Sequence, residues 1–275
     1  MKKSCVLIWL LGLLFSLYAE DADFKKVYLD AKLKHENEYP VFSQKGGMLR
    51  PLDHSFYFRT DDEWTGFSTI YLGYRFAPAE YFNFAIEGGV GLPQLYQANI
   101  LLHFKIYETP NKFFFMGLRA RGGYMYRHAD KSMFFVGVNN ESGYMGFGKD
   151  YYTIENRHSI YFATDLTVAL RFGKYKEQCV YYTIYPKFDF DLFGGPTYIL
   201  FAPVMTGYEV RFGKFMEWSF AAEFGYAFPL PWGSVPDGKW INFPSLANVG
   251  LHYRFGDKFY SDLYKKHNKK FFDKL

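Results

Sequence analysis

Ala98-Asn99-Ile100-Leu101-Leu102-His103-Phe104-Lys105-Ile106 puts Ala98, Ile100, Leu102, Phe104 and Ile106 on one side of an extended chain and Asn99, Leu101, His103 and Lys105 on the other, because successive strand side chains point to opposite faces. One face is oily and the other largely polar. From 81 to 92 the same division sets Phe82, Phe84, Ile86, Gly88, Val90 and Leu92 against Tyr81, Asn83, Ala85, Glu87, Gly89 and Gly91. It returns with Ile160, Phe162, Leu166 and Leu170 against Ala163, Asp165 and Arg171, and with Trp218, Phe220 and Phe224 against Ser219, Ala221 and Glu223. Nine segments carry this alternation, and no helical period of 3.6 competes in them. Four of them close on one pair, Arg75-Phe76, Arg171-Phe172, Arg211-Phe212 and Arg254-Phe255, so each arginine looks one way and each phenylalanine the other. Repeated alternation of this kind is the pattern of an antiparallel up-and-down transmembrane β-barrel, with lipid outside and a polar lumen inside.

Composition agrees with that reading. Aromatic residues make up 23% of the 275-residue chain, more than a soluble core needs, and aromatic girdles at the two membrane interfaces account for the surplus. Outside the N-terminus no apolar run is long enough for a transmembrane helix. At the N-terminus, Lys2 and Lys3 precede an apolar core from Val6 to Leu17, and Leu17-Tyr18-Ala19 forms a cleavage site before Glu20; this is the layout of an export signal. Without Lys2 and Lys3 the formal charge falls from +4 to +2, so bulk charge gives no support to a nucleic-acid partner. Cys179 is then the one remaining cysteine, and no intramolecular disulfide can staple the exported chain. The expected organisation is a cleaved signal peptide over 1–19, an outer-membrane barrel over 20–256 and a lysine-rich periplasmic tail over 257–275.

Connections orient the strands, since bacterial barrels have short periplasmic turns and longer outer loops. Ala77 to Glu80, Glu108 to Lys112, Gly173 to Gln178 and Gly213 to Glu217 are brief polar links; Arg127 to Arg157 and Pro229 to Pro244 are long and rich in Gly, Asn, Asp and Pro. The Arg-Phe ends therefore lie on the periplasmic side. An even strand count requires a tenth strand. Lys26 to Lys34, where Val27, Leu29, Ala31 and Leu33 alternate with polar partners, is preferred over His54 to Thr60. That choice makes His35 to Thr65 the first outer loop. Ten strands are expected, with eight as the alternative.

These features resemble the small outer-membrane β-barrel proteins of Gram-negative-type bacteria, the group containing opacity-type and outer-membrane-protein-W-like barrels. The most specific piece is Gly250-Leu251-His252-Tyr253-Arg254-Phe255, which looks like the group's C-terminal assembly signal, with Gly250, Tyr253 and Phe255 its marked positions. Usually that signal ends the chain, whereas Gly256 to Leu275 follow here. The resemblance implies a place in the outer membrane and, as partners, outer-membrane lipid and the barrel assembly machinery. In the tail, Phe259, Leu263, His267 and Phe271 fall four apart among lysines. Two readings stand: an amphipathic helix meeting anionic lipid or a periplasmic polymer, or a solvated terminus, which is favoured.

Function turns on the lumen. Basic Arg75, Lys105, Arg171, Arg211 and Arg254 hold equivalent positions at the bottom of five descending strands, where they form a ring. Acidic partners on the same face are Glu87, Asp165, Asp189, Asp191, Glu209 and Glu223. Such a ring can be an anion-attracting constriction, or its charges can pair with the carboxylates and plug a barrel too narrow to hold much water. The plugged reading is favoured. The chain is thus expected to be a structural, porin-like barrel or a narrow passive channel for small solutes, without cofactor, metal or catalysis. An alternative is surface adhesion through the long loops, where Tyr144, Met145, Phe147, Tyr151 and Tyr152 cluster. A third reading is a hydrolase at the outer rim built from His128 with Asp130, Asp61-Asp62 or His158-Ser159. Charge at Leu102 or Leu166 is expected to be costly, and changes at Glu87 milder.

Overall fold

The computed structural model describes residues 26–262 apart from 43, 63–67, 92–94, 128–132, 140–144, 151–156, 194–197, 232–239, 243–244 and 261. The leader, His128, Asp130, Tyr144, Tyr151, Tyr152 and the tail beyond Asp262 lie outside the described residues. A helix, α1, spans 26–38. Among the described residues thirteen strands follow: β1 His54–Asp62, β2 Ser68–Ala79, β3 Phe82–Gly91, β4 Leu95–Glu108, β5 Phe114–Arg127, β6 Met133–Asn139, β7 Met145–Asp150, β8 Arg157–Phe172, β9 Gln178–Asp191, β10 Tyr198–Phe212, β11 Trp218–Pro231, β12 Trp240–Asn242 and β13 Ser245–Phe255. Ten of them close a barrel in the order β1-β13-β11-β10-β9-β8-β5-β4-β3-β2, and β12-β6-β7 pair as a separate three-stranded sheet. Every barrel pairing is antiparallel.

The strand count is as expected, but the tenth strand is not Lys26 to Lys34. His54–Asp62 takes that place, pairing His54 with both Phe76 and Phe255, and β1 rises from the short-turn end. His35 to Thr65 is accordingly no outer loop. Lys26 to Lys34 belongs to α1, and its Val27 and Leu29 are exposed while Tyr28, Lys32 and Glu36 are buried. Spacing of four puts those three on one helical face, so the face that packs is mostly polar and the alternation of aliphatics misleads.

Barrel faces follow the sequence. Phe58, Leu72, Ile86, Ile100, Leu118 and Ile160 are exposed on the exterior, whereas Arg75, Glu87, Arg119, Asp165, Glu209 and Glu223 are buried inside. Four lumen tyrosines lie over cross-strand glycines: Tyr57 over Gly73, Tyr71 over Gly89, Tyr161 over Gly123 and Tyr181 over Gly207. A Cβ at Gly73 would stand 2.1 Å from the Tyr57 ring, and one at Gly207 2.2 Å from that of Tyr181. The glycines are recesses for rings, the cross-strand device by which an aromatic covers a glycine in a curved sheet.

Three Arg-Phe ends continue into glycine, at Gly173, Gly213 and Gly256, each with φ of 95°, a left-handed conformation that favours glycine. The turns Gly173 to Glu177 and Gly213 to Glu217 are built alike. Glu177 accepts from the Tyr175 amide and Glu217 from the Phe215 amide, both at 2.7 Å. Asp257 likewise caps the Phe259 amide at 3.0 Å.

Candidate functional site

The Lys174 and Lys214 carbonyls occupy the same place in those two turns, and α1 docks on both. Tyr28 donates its hydroxyl, and Lys32 its ammonium at 2.8 Å, to the Lys214 carbonyl; Asn37 donates to that of Lys174 at 3.1 Å. The helix thus covers the short-turn mouth. From its end the chain turns into the lumen, burying Val41, Phe42, Gln44 and Lys45, and returns through Met48, Leu49 and Arg50 to β1. At the neck of this loop Arg50 donates to the Tyr39 carbonyl through Nε at 3.0 Å and Nη2 at 2.6 Å. The tip is threaded among wall residues: a Cβ at Gly46 would be 2.5 Å from Cys179 Sγ, and one at Gly47 2.6 Å from the Arg171 guanidinium.

The expected basic ring is a collar around this segment. Arg75 reaches the Gln44 carbonyl at 3.5 Å and Arg171 the Gly46 carbonyl at 3.0 Å. Arg171 also pairs with Glu108. Arg211 binds Glu36 at 2.6 Å and the Tyr175 and Lys176 carbonyls at 2.9 and 3.0 Å. Arg254 holds Asp53 and Asp257, each at 2.9 Å. Lys105 differs: beside a register shift in β4 it is half-buried at the rim, paired with Glu80 and, at 3.5 Å, with Glu108. Four arginines therefore make the collar, and the lysine stays outside it.

Carboxylates higher in the lumen hold the tip. Glu223 takes the Lys45 ammonium at 2.6 Å, with Asp165 at 3.8 Å, and Glu209 accepts the Gln44 amide at 3.1 Å and the Ser219 hydroxyl at 2.7 Å. Asp165 is also paired with Arg119. Glu87 collects Arg59 at 2.7 Å and donors from Tyr57 and Asn99, each at 2.9 Å. Against the expectation that changes at Glu87 are milder than charge at Leu102 or Leu166, removing this carboxylate would take its ion pair from the buried Arg59 guanidinium. Asp189 and Lys187 are buried on the lumen face, Lys187 lying 4.5 Å from the centre of the Tyr161 ring. Asp191 is half-buried and caps the Phe193 amide at 2.8 Å.

Outside the barrel, charge at the mouth is set by burial against the collar. Burial alone would raise the Glu36 carboxyl, but the Arg211, Arg50 and Arg254 guanidiniums and the Tyr260 hydroxyl outweigh it and hold it at about 2. For Asp257, burial is outweighed by the bond from His35 and by Arg50 and Arg254, which bring it well below the carboxylate range. Burial wins at Asp53, which is raised despite Arg254.

Of the assembly-signal positions, Tyr253 lies exposed on the exterior and Phe255 half-buried, in the strand that closes the barrel between β1 and β11. The start of the tail is not frayed. Tyr260 is buried with its hydroxyl on Glu36 at 2.6 Å, and Phe259 stacks on His35 with ring centres 3.8 Å apart. His158 and Ser159 are not brought together: Ser159 is buried inside, while His158 meets the Tyr124 hydroxyl outside. The N-terminal plug was not read from the sequence. Its signals were the spacing of Tyr28, Lys32 and Glu36 and a Gly46-Gly47 bend between Pro40 and Pro51.

Fold and site together define a closed ten-stranded antiparallel barrel with an apolar exterior and a lumen filled by the chain's own N-terminal segment. No family model and no curated protein matches the chain. Among solved structures it is similar to the KdgM porin (10% identity over 74% of this chain and 99% of that one, TM-score 0.38). It is also similar to the N-terminal β-barrel domain of OprF from Pseudomonas aeruginosa (7%, 75% and 100%, 0.33). A third is the translocator domain of the autotransporter NalP from Neisseria meningitidis (17%, 87% and 98%, 0.33).

Proposed function

We propose that this chain is a bacterial outer-membrane barrel kept shut by its N-terminal segment, and that it acts as a structural envelope protein which becomes a narrow passive channel when that segment leaves. One observation carries the reading: the described residues of the 39–50 loop fill the lumen from the short-turn end, inside a barrel whose outer face is a belt of exposed aliphatic and aromatic side chains. Such a belt suits lipid, and short turns suit the periplasmic side; in this reading α1 and the start of the tail face the periplasm. Outer-membrane lipid and the assembly machinery are the partners of this reading; the kinship with opacity-type and outer-membrane-protein-W-like barrels belongs to it as well. No catalytic role is proposed: His158 and Ser159 point to opposite faces, and His128 and Asp130 lie outside the described residues.

Planar-bilayer recording of the refolded chain tests the proposal. The wild-type protein is expected to insert and stay silent, and variants that loosen the segment to show discrete steps. Steps of full size in wild type would refute closure, and silent loosened variants would refute a latent channel.

A further inference from the structure

The plug tip is held as a ligand is held. Its Phe42 ring lies 5.3 Å from the Arg171 guanidinium and 5.0 Å from that of Arg211, and packs in one cluster with Met48, Phe115, Cys179 and Tyr181. Three positions along, the Lys45 ammonium enters an acidic pocket of Glu223 and Asp165, 5.7 Å from the centre of the Tyr185 ring. Between them the backbone is read in both senses: the Gln44 amide donates to Glu209, and the Gln44 and Gly46 carbonyls accept from Arg75 and Arg171. Wall side chains thus supply an aromatic subsite, a cation subsite and paired backbone contacts. A strap needing only to fill space would be served by apolar packing, since burying ions is costly unless they are paired and hydrogen-bonded.

We propose that the lumen is a peptide-binding site occupied in cis by Phe42, Gln44, Lys45 and Gly46, and that its ligand in trans is a short peptide carrying a cationic side chain three residues after an aromatic one. The inference rests on the plugged reading above. A tethered segment competes at an effective concentration of roughly millimolar, so an external peptide gains the site when the internal one is weakened.

Cys179 is the native reporter, because it is buried beneath Gly46. In the full chain carrying Cys5→Ser, refolded in detergent, alkylation by a small maleimide is expected to be slow. Phe42→Ala with Lys45→Ala should accelerate it on the order of a hundredfold or more, by removing a packed ring and a buried ion pair together. A synthetic peptide of residues 40–49, added at low millimolar concentration, should then slow labelling about tenfold when nine-tenths of the sites are filled. The same peptide with Lys45→Glu should not. Foldedness is checked by the mobility shift of the unheated barrel in gels; if the double variant fails it, Lys45→Met is used in the same way. Slow labelling of a folded, weakened variant would overturn the plugged reading itself. Fast labelling without reprotection, or equal reprotection by the charge-reversed peptide, would leave the plug and overturn the peptide site.

Discussion

Glu36→Gln isolates the clasp between α1 and the collar. The carboxylate is fully buried, bonded to Arg211 at 2.6 Å and 3.1 Å from Arg50, and accepts the Tyr260 hydroxyl at 2.6 Å. A fall from 4.5 to about 2 corresponds to about 3 kcal/mol of preference for the ionised form in the folded mouth. Glutamine keeps the shape and removes the charge, leaving two buried guanidiniums without this carboxylate. If the clasp acts on seating of the plug, about 3 kcal/mol is on the order of a hundredfold in the seated-to-unseated ratio. Maleimide labelling of Cys179 at neutral pH should rise accordingly, with the barrel still folded by gel mobility. The sign with pH follows from the same carboxylate. Its folded value lies below its unfolded one, so its contribution is complete above about pH 4.5 and is lost as pH falls toward 2. Asp257 acts in the same direction, and Asp53, raised by burial, opposes it. In the bilayer assay, wild-type protein that is silent at neutral pH should, if the proposed channel exists, begin to show steps between about pH 4.5 and 2. A Glu36→Gln protein whose Cys179 stays as protected as wild type would refute the reasoning.

Glu87→Ala should destabilise by about 3–5 kcal/mol, because Arg59 loses its buried carboxylate; urea unfolding in lipid vesicles reads the change, and a loss below about 1 kcal/mol would contradict the network. In the same assay Leu166→Arg should cost about 2–4 kcal/mol at mid-membrane depth, and tolerance there would refute the lipid face. Gly73→Ala should lower stability by about 1–3 kcal/mol through collision with the Tyr57 ring, and Tyr57→Ala in the same chain should recover part of that loss. Gly213→Ala is expected to cost about 1–2 kcal/mol from its φ alone; an unchanged midpoint would dismiss strain at the turn.

The barrel was legible because its signal is redundant. Nine alternating segments and four Arg-Phe ends each state the same inside and outside, and the exposed Ile86, Ile100 and Ile160 match them. The tenth strand was misplaced because Val27, Leu29 and Leu33 alternate as a strand would. Val27 and Leu29 are exposed and Leu33 is only half-buried; Tyr28, Lys32 and Glu36 bury against turn carbonyls and arginines, so much of the packing of α1 is carried by polar groups that a hydrophobic pattern does not score. The collar residues were found, but not their occupant. Pro40 to Pro51 reads locally as a loop, and whether a loop lies over a barrel or inside it depends on room made by distant residues, here Cys179 against Gly46 and Arg171 against Gly47. Lys105 holds a position equivalent to the four arginines in the sequence, and the register shift beside it in β4 leaves it at the rim.

Plugging and closure of the barrel share one residue. Arg254, on the last strand, binds Asp53 just before the first strand and Asp257 just after the last. Asp257 in turn binds Arg50 on the returning limb of the plug and His35 on α1. The seam between β1 and β13 and the neck of the plug are therefore one ionic cluster. Since both ends of the 39–50 loop lie at the mouth, pinned by Arg50 on the Tyr39 carbonyl, the tip enters as a closed loop and needs no free end to be threaded. Its departure, as proposed above, would not require β1 to leave β2 and β13. Seating should then depend on the seam, while the seam need not depend on seating. Arg254→Met is predicted to weaken both the gel mobility shift and Cys179 protection, whereas Glu36→Gln weakens protection alone. If Arg254→Met left Cys179 protected in an otherwise folded barrel, the seam and the plug would be independent structures, and the shared cluster would be only a surface of contact between them.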